Sequence, residues 1–214
     1  VSNEFMAIAS LLSSFVTEKV EVGNSSGKQH RLSPYFSFTY KPFKNSDLRL
    51  RAFYKNVFRL PTFNDLYYSR IGNENLRPET TDQINVGFTY SVSPFNWCPF
   101  ISLTIDGYRN YVTDKIIAMP TKNIFVWSML NLGKVEVNGI DITAETTFSI
   151  AKKMNLVMGG TYTYQRALNI TTPAGNTYGH QIPYTPRVSG SGKVGIETPW
   201  VDISYSLLWS GKRY

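Results

Sequence analysis

Apolar and polar residues alternate along most of this chain. Ile84, Val86, Phe88, Tyr90 and Val92 share one phase, and Asn85, Gly87, Thr89 and Ser91 fill the other. In "ISLTIDGYRN", Ile101, Leu103 and Ile105 oppose Ser102, Thr104 and Asp106. Met154, Leu156, Met158, Tyr162 and Tyr164 oppose Asn155, Thr161, Thr163 and Gln165, with Val157 as the exception. Val188, Val194 and Ile196 oppose Arg187, Ser189, Ser191, Lys193 and Glu197. Val201, Ile203, Tyr205, Leu207 and Trp209 oppose Asp202, Ser204 and Ser206. "YFSFTYKP" and "DLRLRAFYKN" behave alike. Sustained period-two alternation predicts strands, because successive side chains leave a strand on opposite faces.

Two stretches depart from this pattern. In "KVEVNGIDITAETTF", Val135 and Val137 lie in one phase and Ile140, Ile142 and Ala144 in the other. The slip at Asn138-Gly139 predicts a β-bulge, a feature that Gly accommodates well. Residues 5–16 fit a short helix or a strand, and residues 17–22 look extended; the whole reads as a strand. The pattern then gives about nine strands. Their connections alternate between short (around 44–46, 94–96, 151–153 and 198–199) and long (58–80, 113–131 and 168–185). In an antiparallel meander this places every long, structureless joint at one end of the sheet. The expected fold is all-β: an up-and-down antiparallel meander of about nine strands, a single segment over residues 1–214 that forms part of a larger transmembrane β-barrel. Such barrels pair short turns at one end with long loops at the other.

Composition narrows the function. The chain has 214 residues, 42% of them hydrophobic and 14% aromatic, which argues against disorder. The polar phase is rich in Ser, Thr, Asn, Gly and Tyr, as a wet lumen requires. No apolar run is long enough for a spanning helix, which leaves a strand-built membrane protein open. The net charge is +7, but Lys and Arg are scattered and never run beyond two, so nucleic acid is not an expected partner. One cysteine, Cys98, and two distant histidines, His30 and His180, give no disulfide framework and no metal site, and no cofactor is implied. Tyr54, Tyr90, Trp97, Trp127, Trp200 and Trp209 suit interfacial girdles, with ordinary packing as the alternative.

Catalytic signals are weak. "SGSGK" at residues 189–193 lacks the phosphate-loop spacing and sits within an alternating strand, where small residues let strands approach. Asp106, Asp141 and Glu145 have no acid–base partner in sequence. Asn169-Ile170-Thr171 fits a glycosylation acceptor pattern that is short and common. The chain is not expected to be an enzyme.

The joint at residues 58–81 is the most particular segment. "FRLPTFNDLYY", "GNENLRPETT" and "NVGFTYS" together resemble the TonB-dependent outer-membrane receptors. Arg59, Pro61, Asp65, Leu66 and Tyr67 match the first family motif, and Gly72, Asn73, Leu76, Pro78 and Glu79 the second. "NLGKVEVNGIDI" resembles a further family strand, with Asp141 in place of the usual Glu, and "IPYTPRVSGSGKVGIE" resembles the entry to a late strand. The resemblance covers residues from about 30 to the C-terminus and implies the C-terminal part of the barrel, without plug domain, TonB-box segment or final strands. It also implies TonB-coupled uptake of a scarce nutrient across the bacterial outer membrane. Loop segments look most like Bacteroidetes-type cobalamin receptors, and a ferric siderophore is the other nutrient considered. Arg59, Pro61, Asp65, Leu66, Gly72, Leu76, Pro78 and Glu79 are expected to shape the loop, with Glu79 pairing with Arg59 or Arg77. Tyr67, Tyr68, Asn73, Trp127, Tyr178, His180 and Tyr184 are the candidate ligand contacts, since aromatic and amide groups suit a large, partly apolar ligand. Expected partners are outer-membrane lipid, TonB and a small-molecule nutrient. An excised piece is expected to self-associate through its apolar face or free edges. The competing expectation is a self-contained soluble β-domain that binds carbohydrate or protein.

Overall fold

The computed structural model describes residues 4–17, 28–121 and 125–213. Nine strands form one antiparallel sheet: β1 (Phe5–Thr17), β2 (Lys28–Tyr40), β3 (Asp47–Arg59), β4 (Glu79–Val92), β5 (Phe100–Thr113), β8 (Lys134–Ala151), β9 (Met154–Asn169), β10 (Val188–Glu197) and β11 (Asp202–Ser210). Neighbours in sequence are neighbours in the sheet, apart from β5 and β8. Between those two lies a separate hairpin, β6 (Ile116–Pro120) and β7 (Trp127–Asn131). A one-turn helix, α1 (Phe63–Tyr67), lies between β3 and β4. The long joints are therefore not structureless, since two of the three hold regular elements. Residues 5–17 are strand rather than helix; most of the extended 17–22 stretch, and Tyr214, lie outside the described residues.

Register places each side chain on a face. Leu50, Phe88, Ile105, Ile142, Tyr162, Gly190 and Trp209 form one transverse row on the apolar face. That face is exposed at Phe36, Val86, Ile140, Met158, Ile203 and Tyr205. A contiguous exposed apolar sheet of this size is a surface for something other than water. The opposite face is polar and much of it is bonded within itself, while the Oδ1 atoms of Asn85 and Asp141 on it are buried without a protein partner. Thr89 bonds Thr104 at 3.0 Å, Ser91 bonds Ser102 at 3.1 Å, and Arg51 donates to both Asp106 carboxylate oxygens at 3.2 and 3.0 Å. Gly87 lies between Arg51 and Asp106 in the register, and a Cβ there would collide with the Asp106 carboxylate.

No bulge occurs at Gly139. The pairing of β8 with β5 and β9 runs through it unbroken, and the one register shift lies between Ser149 and Ala151. Gly139 is needed for space, because a Cβ would strike the Tyr108 ring and the Tyr164 carbonyl. The phase slip has another cause. From Ile140 to Ile150 the apolar residues of β8 point to the exposed face. Above Asn138 the arrangement inverts: Glu136 and Asn138 occupy that face, and Val135 and Val137 turn to the other. There Val135 is fully buried, and it packs with Val112, Ala167 and Ile182, against Leu132 and Val137. The same border crosses neighbouring strands, where Asp82 follows Ile84, Arg109 follows Gly107 and Arg166 follows Tyr164. The strand is continuous while its surroundings change from apolar to aqueous.

Candidate functional site

The three long joints meet at this loop end, which carries the small core around Val135. Thr62 caps α1 in a reciprocal box: its hydroxyl accepts from the Asp65 N–H at 3.2 Å, and its own N–H donates to the Asp65 carboxylate at 2.8 Å. Arg59 donates to the same carboxylate at 2.6 Å. Burial acts to raise the Asp65 pKa, but the bonds from Thr62 and the Arg59 guanidinium outweigh it and hold the group below its ordinary value of 3.8. Gly72 closes the loop onto α1, where a Cβ would come within 2.5 Å of the Leu66 carbonyl oxygen. Asn73 N–H donates to the Asp65 carbonyl at 2.9 Å, and Leu76 is buried beneath.

Glu79, at the start of β4, ties this joint to the next. It is buried, and it accepts from Lys115 Nζ and from the Ile116 N–H, each at 3.1 Å. Arg59 lies 3.8 Å away. Glu79 therefore pairs with Arg59, and Lys115 takes the place expected of Arg77. Arg77 reaches Asp114 instead, at 2.5 Å. The 71–77 segment is tied to β7 by one backbone bond and by the amides of Asn73 and Asn131. Met129 N–H donates to the Ile71 carbonyl at 2.8 Å, and Asn73 Nδ2 donates to the Met129 carbonyl at 3.0 Å. The Asn131 side chain accepts from Arg77 N–H at 2.9 Å and donates to the carbonyls of Arg77 and Asp114 at 3.0 and 2.8 Å. Asn131, Lys115 and Thr62 are thus part of the joint, and sequence reasoning missed them as site residues. Asn131 opens the "NLGKVEVNGIDI" segment, so its signal was present.

The third joint folds back on β9. Asn169 N–H donates to the His180 carbonyl at 2.9 Å and Ile182 N–H to the Ala167 carbonyl at 2.9 Å. The Asn169 amide is buried and bonds Thr177 and Thr171, so this acceptor pattern is occupied within the fold. Trp127 of β7 and Tyr184 meet with ring centroids 5.6 Å apart, joining the hairpin to the third joint. Trp127 therefore belongs to the loop cluster rather than to a girdle. Tyr68, Tyr178, His180 and Tyr184 are exposed, and Tyr67 packs on Phe63 at 5.0 Å. Asn73 is engaged at both ends of its amide, since its oxygen also accepts from the Asn75 N–H at 3.0 Å. Among the candidate ligand contacts, then, Trp127 and Tyr184 touch each other, and Asn73 is part of the scaffold. Among the described residues, no cluster of His, Cys, Asp or Glu is placed to hold a metal ion.

A family model described as "TonB dependent receptor-like, beta-barrel" matches residues 12–214. The chain belongs to the TonB-dependent receptor β-barrel family. Its place is the bacterial outer membrane, and the exposed apolar face of the sheet is the lipid face of a barrel wall. This decides against the self-contained soluble β-domain. Similar curated proteins include the vitamin B12 transporter BtuB of Vibrio vulnificus, 38% identical over 87 residues, or 41% of this chain and 13% of that protein. The vitamin B12 transporter BtuB of Photobacterium profundum is 31% identical over 103 residues, 46% of this chain and 16% of that protein. The matches thus take in less than a fifth of either relative. Among solved structures, the copper transporter OprC aligns over 97% of this chain and 32% of its own, with a TM-score of 0.63 and 13% identity. The Serratia marcescens hemophore receptor HasR, solved as a double mutant with its hemophore HasA and heme, aligns over 98% and 40% with a TM-score of 0.57 and 15% identity. At such identities the likeness is one of fold. At the short-turn end Phe95, Trp97 and Phe148 stack with centroids 5.4 and 5.9 Å apart, an aromatic rim of the kind that outer-membrane barrels carry at their interfaces.

Proposed function

We propose that this chain is the wall and part of the mouth of an active transporter that takes up vitamin B12 with TonB-coupled energy. The observation that carries the reading is the 38% identity over 87 residues to a protein named as a vitamin B12 transporter. The loop geometry supports it. The hydrogen-bonded joint from Arg59 to Glu79 fixes the base, and the Trp127–Tyr184 pair, with Tyr178 exposed in the third joint and Tyr68 exposed in the first, offers broad apolar rings with polar tips. Such side chains give a large corrinoid contact area at low entropic cost. In this reading Arg59, Asp65 and Glu79 act by positioning, and Trp127, Tyr178, His180 and Tyr184 touch the ligand.

The test uses the full-length receptor. Calorimetry with cyanocobalamin should show binding that Trp127→Ala weakens by about 1–2 kcal/mol, roughly 5- to 30-fold in Kd. Cellular uptake should also stop in a strain lacking TonB while surface binding persists. A receptor that ignores cobalamin and binds a ferric siderophore would replace this ligand with the other nutrient class considered.

A further inference from the structure

The seam between β2 and β3 is incomplete. β2 pairs with β1 along its whole length, from Phe5 opposite Tyr40 to Thr17 opposite Lys28. β3 pairs with β4 in the same way, from Asp47 opposite Ser91 to Arg59 opposite Glu79. Between β2 and β3, however, the ladder runs only from Tyr40 opposite Leu50 to Tyr35 opposite Lys55. Above that point each strand is paired on its far side alone, and the wall forks.

Two features stop the ladder. The Glu4 carbonyl accepts from the Lys41 N–H at 2.7 Å, so the odd-numbered residues of β2 exchange backbone bonds with β1 and the even-numbered ones turn theirs toward β3. Pro34 is the next even-numbered residue after Phe36. It stands opposite Asn56 in the continued register and has no N–H to give. Further up, the same register would set Arg31 against Arg59, and like charges directly opposite each other repel.

The fork opens in water and has two chemically different sides. Tyr54 Oη and Asn56 Nδ2 both donate to Asp82 at 2.7 Å, and Asp82 is the first charged residue above Ile84 on the outer face of β4, so the split begins where the wall leaves the membrane. On the face that carries Arg51, Arg31 and Lys55 are exposed, and neither forms an ion pair among the described residues. A hollow of about 240 Å³ lies there at the base of the fork, lined by Ser10, Leu12, Ser33, Tyr35, Lys55 and Val57. On the outer face Leu32 is exposed, and Phe15 stacks on His30 with ring centroids 4.3 Å apart.

We propose that the fork is a docking slot for an extended segment of a partner protein, with acidic side chains at alternate positions and apolar ones between them. The segment adds as a strand to the free edge of β2 and takes the backbone groups of His30 and Leu32 that face the fork. Its acidic side chains lie beside Lys55 and Arg31, and its apolar ones beside Leu32 and Phe58. Main-chain bonds supply the affinity, and the charges and the hollow select the sequence. Pro34 sets the lower limit, below which the wall stays closed.

The experiment uses the full-length receptor in nanodiscs and a fluorescein-labelled peptide of alternating Glu and Val, followed by anisotropy. A peptide of alternating Lys and Val is the comparison, and the Glu peptide should bind about tenfold more tightly. Arg31→Gln and Lys55→Gln should each weaken its binding about threefold. Leu32→Pro removes an N–H that faces the fork and none that faces β1, so β1 and β2 should stay paired while binding falls about tenfold. Pro34→Val restores the donor toward Asn56. It should lengthen the ladder, slow deuterium exchange at residues 56–58 and weaken peptide binding. Equal binding of the two peptides, or binding untouched by Leu32→Pro, would overturn the proposal. So would slow exchange of the Leu32 amide in the receptor without peptide, because another part of the receptor would then fill the fork. If Leu32→Pro fails to assemble, His30→Pro provides the same test at the next donor.

Discussion

Removing the Glu79 carboxylate isolates the link between the barrel wall and the loop cluster. In Glu79→Ala the buried Ile116 N–H loses its acceptor, at a cost of about 1–3 kcal/mol. Lys115 and Arg59 lose a partner as well, but their side chains are 29% and 45% exposed, so solvent screens that loss to about 1 kcal/mol. The sum is roughly 2–4 kcal/mol, confined to the anchoring of the β6–β7 hairpin. At about 1.4 kcal/mol per tenfold, hairpin amides should exchange with deuterium about 100-fold faster in the full-length receptor. Peptides from the β4–β5 ladder within the membrane should keep their protection. Glu79→Gln retains an acceptor for Ile116 and should show about a third of the loss in free energy. Unchanged exchange over residues 116–131 in Glu79→Ala would refute the reasoning, because the hairpin would then owe its position to other contacts.

Three further outcomes are expected. The Asp65 pKa is depressed in the folded loop, so its contribution is full above the unfolded value near 3.8 and fades as pH falls through the lower folded value. Exchange protection across residues 62–68 should therefore be flat near neutrality and drop only below about pH 4. Asp65→Asn should abolish that dependence, and a transition near pH 6 would contradict it. Gly87→Ala and Gly192→Ala should differ sharply: the first drives a methyl into the Asp106 carboxylate and the Ile105 carbonyl, the second meets open space. The first should cost about 1–3 kcal/mol in detergent unfolding and the second close to nothing. The isolated 214-residue chain should self-associate through its lipid face and the edges of β1 and β11, which light scattering would detect.

The strands were legible because a wall with one lipid face and one wet face writes its register into the sequence as period-two alternation. Where that reading failed, the surroundings had changed. At Asn138-Gly139 a slip in phase looked like an inserted residue, because alternation alone cannot tell a bulge from a strand that leaves the membrane. β1 was ambiguous for a related reason: Met6, Ile8 and Leu12 face away from Phe5, Ala7 and Leu11, so both faces are apolar. β6 and β7 are five residues each and hardly alternate, and α1 is a single turn that depends on its cap. The loop site was legible as a motif but not as a network. Glu79 and Ile116 are 37 residues apart, and Arg77 and Asn131 are 54 apart, so their bonds exist only once the joints are docked. Asn73 shows the limit most plainly, since the same amide suits a ligand or a neighbouring backbone, and only position decides between them.

The inversion along β8 also defines where this barrel can be cut and rejoined. Below the Arg109–Asn138–Arg166 row each strand is a stave whose neighbours and lipid specify its faces. Above that row the strand ends, hairpin and third joint enclose a small water-facing core of their own. A mouth transplanted from another receptor with the splice at this row would bring its own core and leave the staves untouched. A splice two residues higher would split Val135 and Ile182 from Ala167 and so divide that core. The row is thus a seam between two solvents, and loops on this wall can be exchanged without redesigning the membrane part.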